Sequence, residues 1–557
     1  MWLLSPKWVR KPRDECFLAG VVNSGGREVE NEMANALDLS QRFRMSASDD
    51  PRVVAKEVVG DYTSHVVPES ARKSRMAIIG SWSSIASAMA FVYYGALAAS
   101  LVGVQQAIIG IVLVVVAYSL ISGFSVREAI RGGLNSTLIS RRLFGSKGAA
   151  IVPLLVGLSL FYYAVFEGTI VAVALHSYFK VWNIQVWYAI VVVGMLPLML
   201  GGMQTWLSKL NWVSLPIYFF GVTGAVLIAG QRIGWEGDWT ALSEPTGLVK
   251  GIPGWLTVFV LYMGIFVLFP EAQDAARFAR KSDSSFHQKV TFGWVFYSIA
   301  FLFNGLVGIA IVGFASSTQE ITEGGVVQGI IDTLGTVGLI VIVVSQVRIN
   351  SANFYFSSVN MQRFVSHFSN RGISRKAWVV VISAAVFLVM LTDVFSYISA
   401  ALAWQAVLLV TLVGIMVTHE LLHKDKDPEF RASRLTAVAP GFYVWLISSG
   451  AGIALLQFGT VLPVLSALAP LVALVLAVGL YIAVSLAGGI SKLYAANDPV
   501  RAEISDLWAT WIQCTACEHS YVAQEMDSDD ERANVLCLAC QETRARVGAS
   551  GPSRVSS

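Results

Sequence analysis

Charge is what this chain has least of. Asp, Glu, Lys and Arg make up 14% of its 557 residues, against roughly 25% in a soluble globular domain. With a mean hydropathy of +0.62, that scarcity excludes an ordinary soluble protein. A net charge of +3 gives no electrostatic footprint for nucleic acid, so no nucleic-acid partner is expected. No Gly-rich phosphate loop followed by Lys occurs, which leaves no basis for ATP-driven work by this chain alone. Met1–Phe17 carries Lys7, Arg10, Lys11 and Arg13 and no sustained apolar run, so no cleavable leader is expected. His (seven) and Cys (five) are rare enough to take one by one.

What is abundant is apolar length. Spans are expected near 78–100, 103–123, 149–175, 184–204, 212–231, 252–272, 291–314, 327–348, 378–395, 397–418, 437–458 and 463–488. About twenty apolar residues cross a bilayer as a helix. Only helices and closed barrels satisfy every backbone group in lipid. The fold class is therefore an all-α membrane protein with about 12 transmembrane helices. Basic loop residues sort to one side: Arg127, Arg131, Arg141, Arg142, Lys147, Lys209, Arg277, Arg280, Lys281 and Lys289, then Arg363 through Arg434. Only Lys180, Arg232 and Lys250 fall on the other side. The positive-inside rule makes the first side cytoplasmic and, with an even span number, both termini too. The expected location is the inner or plasma membrane.

Three regions follow. Residues 1–75 are polar and irregular and are expected to be largely disordered and cytoplasmic. Met45 opens a second, more ordinary N-terminal sequence, which puts the status of residues 1–44 in question. Residues 76–490 form the membrane domain, and 491–557 a cytoplasmic tail.

The first and sixth spans are unusual. The first reads GSWSSIASAMAFVYYG, rich in Gly and Ser. The sixth carries Gly264 near its middle, then Pro270, Glu271 and Asp274. They lie five spans apart, so two five-helix units would be oppositely oriented. Interrupted helices at matched places in inverted repeats point to a binding site at the membrane midplane. Small residues that merely allow close helix packing are the alternative.

Four stretches resemble the nucleobase:cation symporter-1 family, the purine–cytosine permease group: DYTSHVVPESARKS (61–74), FYYAVFEG (161–168), PEAQDAARFARK (270–281) and SQVRINSANFYFSS (345–358). The match covers about residues 60–490. It implies a LeuT-like 5+5 inverted repeat plus two C-terminal helices, working by alternating access. The implied activity is secondary transport of a nucleobase or related small nitrogenous heterocycle, not catalysis.

A flat solute with a polar edge calls for aromatic faces and a few hydrogen-bonding groups. The expected substrate-binding residues are Ser84, Ser87, Tyr163, Glu167, Gly264, Phe266, Asn350 and Asn353. Tyr163 and Glu167 keep the spacing of the family's Trp-x-x-x-Gln but change both residue types. Gly264 and Phe266 lie near where the family stacks its substrate, and Asn353 fits its edge-reading amide. An aromatic run is also ordinary packing, and Asn also joins helices. Glu167, an ionisable group inside a span, is a functional candidate by default and a seat for a proton. Arg348 falls by spacing near the family's cation ligands between helices one and eight. There it would supply its own charge in place of the ion; alternatively it snorkels to the interface. The coupling cation is accordingly H+ or Na+, with sodium-independent, proton-coupled transport as the expectation. Asp274 and Arg277, at i and i+3, are expected to pair as a gate.

Two motifs suggest metal. Cys514-x-x-Cys517 and Cys537-x-x-Cys540 have the spacing of two zinc knuckles, predicting a small zinc-ribbon-like module in the tail that folds with Zn2+. His519 is a substitute ligand. Such a module offers a cytoplasmic protein partner a surface. His419-Glu420-Leu-Leu-His423 matches a metalloprotease signature, but it ends a span and has no third ligand downstream, so no enzyme is expected. The alternative to a transporter is a transporter-fold solute sensor that signals through the tail.

Overall fold

The computed structural model describes residues 43–46, 48–59, 62, 64–200, 203–235, 245–314, 323–368, 374–392, 398–423, 429–489, 498–529 and 534–549. Strand β1 (Met45–Ser46) and helix α1 (Pro51–Val59) precede the membrane domain. The first span is α2 (Arg75–Trp82), a 3-10 turn (Ser83–Ser87) and α3 (Met89–Val102), bent by 43°. Then come α4 (Val104–Gly132), the short α5 (Ser136–Phe144), α6 (Ile151–Phe179), α7 (Ile184–Leu200) and α8 (Met203–Ile233). The sixth span repeats the break: α9 (Gly254–Tyr262), a 3-10 turn (Met263–Ile265) and α10 (Leu268–Ala276), bent by 48°. Beyond lie α11 (Asn304–Phe314), the end of the helical stretch Lys281–Phe314, then α12 (Glu323–Leu334) and α13 (Thr336–Ser366). Helices α14 (Arg375–Met390), α15 (Ile398–Leu422), α16 (Pro440–Gln457) and α17 (Ala469–Leu486) complete the bundle.

Helices thus occupy all twelve expected positions. Seven of the described helices are long and apolar enough to cross a membrane, and the two bent pairs bring the number to nine. The eighth position is displaced from the expected 327–348. Gly335, at φ 59°, ends α12, and the span is Thr336–Ser366. Hydropathy misplaced it because Ser345, Gln346, Arg348, Asn350 and Asn353 are polar. They are buried against other helices, not in lipid, where polar groups are tolerated.

Close contacts show why glycine recurs here. A Cβ on Gly95 would lie 2.2 Å from the Cα of Gly305, so α3 and α11 cross backbone to backbone in the manner of small-residue membrane contacts. Helices α6 and α13 run antiparallel along each other. Ser357 Oγ donates to Gly157 O at 2.9 Å, while eleven residues further along α6 Gly168 faces Asn350. Opposed third and eighth spans are what oppositely oriented repeats require.

The disorder expected through residue 75 does not extend that far. Met45 pairs with Ile512 in a three-stranded antiparallel sheet of β1, β2 (Trp511–Gln513) and β3 (Ser520–Val522). Phe43 is fully buried with Ile512, Tyr521, Met526 and Val535. A second ribbon, β4 (Asp527–Asp529) and β5 (Asn534–Leu536), leads into α18 (Leu538–Ala549). The polar segment finds order because another part of the chain supplies its apolar partners, which composition alone does not show. Residues 1–42 lie outside the described residues.

Candidate functional site

Breaking a helix inside a bilayer leaves backbone groups that must find partners. At the first break side chains supply them. Arg348 Nη2 donates to Ser84 O at 2.9 Å, and Asn304 Nδ2 donates to Ala86 O at 2.7 Å. Tyr218 OH holds Asn304 Oδ1 at 2.9 Å. At the start of α3, Gln346 Oε1 accepts from Met89 N–H at 3.4 Å and Glu167 accepts from Ala90 N–H. Gln346 Nε2 in turn donates to Glu167. A carboxylate is electrostatically suited to that place, the positive end of a helix. At the second break Gln405 Nε2 donates to Gly264 O at 2.6 Å and to Tyr163 OH at 2.8 Å.

Between the breaks lies a cavity of about 390 Å³, in the range of small-molecule sites. Its deep wall includes Trp82, Tyr94, Tyr163, Glu167 and Asn353, and its mouth Lys73, Arg277 and Arg363. Helix α10 presents Leu268, Glu271 and Ala275 at helical spacing.

Of the expected substrate residues, Ser84, Tyr163, Glu167 and Asn353 line this cavity. Four do not. Ser87 is fully buried, with Oγ donating to Ser84 O at 3.3 Å. Gly264 lies behind the wall, its carbonyl bound by Gln405. Phe266 turns into an aromatic cluster, 5.1 Å from Tyr118 and 4.8 Å from Phe269 by ring centroids. Asn350 faces away, its Nδ2 3.6 Å from Met195 Sδ. All four sit on the right helices. A turn of the helix, which spacing from a motif does not fix, separates them from the cavity. Arg348, on α13, is fully buried against the break of the first span and does not reach the interface. The residues missed from sequence are Gln346, one amide among several in a polar stretch, Gln405, a lone amide in an apolar run, and Trp82 and Tyr94. The Ser-rich first span was the available signal for the last two.

The expected Asp274–Arg277 side-chain pair is replaced. Asp274 Oδ2 accepts from Arg363 Nη1 at 2.9 Å, and its Oδ1 accepts from Ser136 N–H at 2.8 Å. Arg277 donates instead to the carbonyls of Asp274 (3.1 Å) and Tyr62 (2.8 Å). A guanidinium at i+3 on α10 cannot compete with one reaching across from α13. A double-mutant cycle on Asp274 and Arg363 is expected to give a coupling of about 1–3 kcal/mol in thermal stability, larger than that of Asp274 with Arg277.

The HExxH residues are used in packing. His419 Nδ1 meets Tyr481 OH at 2.7 Å, and His423 Nδ1 meets His419 O at 3.1 Å. Glu420→Gln is expected to leave the chain's activity within about twofold, as for changes away from a functional network. A large loss of uptake would count against this.

In the tail the Sγ atoms of Cys514, Cys517, Cys537 and Cys540 all lie within 4.8 Å of one another, Cys517 and Cys537 at 4.0 Å. A tetrahedral ion with metal–sulfur bonds of about 2.3 Å needs sulfurs about 3.8 Å apart, so the four thiols fit a metal ion. Hydrogen bonding from the Cys537 thiol, with help from backbone N–H groups, lowers the Cys514 thiol against the opposing effect of burial. His519 stays outside the cluster, its Nδ1 on Cys517 O at 2.6 Å. The module is bonded to the membrane domain. Glu525 accepts from Val66 N–H at 3.0 Å and contacts His65 at 3.2 Å. Arg431, fully buried, binds Glu429, Asp498 and Met526 O. Arg434 Nε donates to Asp527 at 2.7 Å, and Arg141 pairs with Glu542.

These features together define a LeuT-like membrane fold: two oppositely oriented units, the first helix of each broken, around a central cavity. No family model matches the chain, and no curated protein does. Solved structures do. Mhp1, described as a nucleobase-cation-symport-1 family transporter in a closed conformation with bromovinylhydantoin bound, superposes with a TM-score of 0.61 at 15% identity, over 77% of this chain and 96% of Mhp1. Its inward-facing conformation gives 0.59 at 18% identity, over 78% and 95%. A Na+-coupled sialic acid symporter in an outward-open state gives 0.55 at 12%, over 81% and 97%. At these identities the likeness is one of fold, and at that level the expected resemblance is borne out.

Proposed function

We propose that the chain is a secondary active transporter for a nucleobase or related small nitrogenous heterocycle, working by alternating access, coupled to protons and independent of sodium. The observation that carries the reading is the cavity between two broken helices whose freed backbone groups are held by side chains of neighbouring spans. Tyr163, Asn353 and Ser84 supply a stacking face and polar edge contacts. Glu167 is the seat for the proton, and Arg348 takes the place of a bound cation. The mouth carries Lys73, Arg277 and Arg363, the charge sign of the cytoplasmic face, so the cavity opens inward with both termini in the cytoplasm. The four tail cysteines hold Zn2+ in a structural role.

Uptake of labelled nucleobases, hydantoin and allantoin into cells expressing the chain tests this, with and without sodium and a proton gradient. Uptake that collapses with the proton gradient and ignores sodium supports the reading. One observation favours a second reading, a solute sensor: Glu525 of the tail is hydrogen-bonded to the segment that leads into α2. Saturable binding to purified protein without flux would select it.

A further inference from the structure

Among the ionisable groups facing the cavity, one differs from the rest in how its polar atoms are held. Arg363 is matched by Asp274. Arg277 is spent on two backbone carbonyls and lies over the ring of Phe278. Lys73, also at the mouth, sits over the same ring at 4.8 Å. Deeper in, Glu167 is held by Gln346 and the start of α3. Glu271 is different. It stands one turn nearer the helix break than Asp274, and its Oε1 is buried with no hydrogen-bond partner among the described residues. Glu271 and Glu167 both lie within electrostatic reach of the Tyr163 hydroxyl.

The surrounding wall is aromatic: Trp82, Phe91, Tyr94 and Tyr163. Tyr94 is 2% exposed and its hydroxyl lacks a partner among the described residues. Aromatic faces attract cations through their quadrupole, most strongly away from water. An unmatched carboxylate in a membrane cavity is costly unless it takes up a proton or meets a counter-charge. A flat cation would satisfy ring faces and carboxylate together.

We propose that the solute of this cavity is a planar organic cation, with Glu271 as its counter-charge and Tyr94 and Tyr163 as its flanking rings. This rests on the transporter reading and narrows its substrate class to heterocycles that carry positive charge, such as amidinium-like or N-protonated rings.

The test uses the full-length chain purified in lipid nanodiscs and two probes of one shape, benzamidine, a planar cation at pH 7, and benzamide, its neutral counterpart. Calorimetric titration is expected to show benzamidine binding at least tenfold more tightly, with the preference lost in Glu271→Gln. Equal affinities, tighter binding of benzamide, or no benzamidine binding at millimolar concentration would overturn the proposal. So would a preference that survives in Glu271→Gln. The wild-type ratio decides the question even if the variant does not fold. Uptake in cells separates the two readings. Transport of neutral nucleobases unaffected by benzamidine sinks the cation proposal and keeps the transporter. Glu271-dependent benzamidine binding without uptake of any solute keeps the site and sinks the transporter.

Discussion

Replacing Arg348 by Met is expected to cut uptake about 100-fold at every sodium concentration, and the unaltered chain is expected to transport equally well when sodium is exchanged for N-methylglucamine. The reason lies in what the guanidinium touches. It is fully buried, and its Nη2 holds the carbonyl of Ser84 at 2.9 Å in the broken part of the first span. Methionine has similar length and no donor. It takes the charged donor from that carbonyl, which keeps the 3.3 Å bond from Ser87 Oγ, and removes a buried positive charge from the surroundings of Tyr218. Hydrogen bonds to charged groups are worth about 1.5–3 kcal/mol, so a loss of about 100-fold in initial rate is expected. Arg348→Lys restores the charge but not the planar fork and should recover only part of the rate. Sodium stimulation of the unaltered chain, or near-normal uptake by Arg348→Met, would remove Arg348 from coupling.

The second large effect is loss of the tail module on metal removal. Its strands are three residues or fewer, too short to hold a core unaided. Structural zinc binding to small domains is worth about 10–16 kcal/mol in apparent terms, more than such a core can replace. Purified protein is expected to carry one zinc per chain by elemental analysis. A chelator, or Cys514→Ser with Cys517→Ser, should release the metal. The region beyond residue 498 should then become protease-sensitive and the environment of Trp508 and Trp511 should change, while the membrane bundle keeps its melting temperature. A metal-free tail that stays protected would refute this. Acid should loosen the same contact. Burial alone would raise the Glu429 carboxyl, but its hydrogen bonds and ion pair with Arg431 hold it below its usual value. The stabilisation is therefore full above the ordinary carboxylate range and is lost as pH falls through the lowered value.

Hydropathy and charge sorting made the twelve helical positions and the two broken spans legible, because lipid imposes length and sign rules that a single sequence carries. The eighth span slipped because the protein interior had taken the place of lipid around Gln346, Arg348 and Asn350. The cavity was half legible. Tyr163 and Glu167 were placed by their helix and by resemblance. Phe266 and Asn350 needed a rotational setting that only packing against Tyr118 and Met195 fixes. Gln405 was illegible, since its value lies in a carbonyl freed on another helix. The pairing of Met45 with Ile512 left no local trace, because neither segment is periodic or apolar enough to announce a strand.

That pairing has a bearing on how the molecule is made. The first strand leaves the ribosome several hundred residues before its partner. At about 5–20 residues per second, roughly 20–90 s pass between them. The whole helical bundle is made in that interval, while Phe43 and its neighbours wait without a core. A chain truncated anywhere in the bundle never acquires the sheet, so the finished tail module marks a polypeptide translated past Ile512.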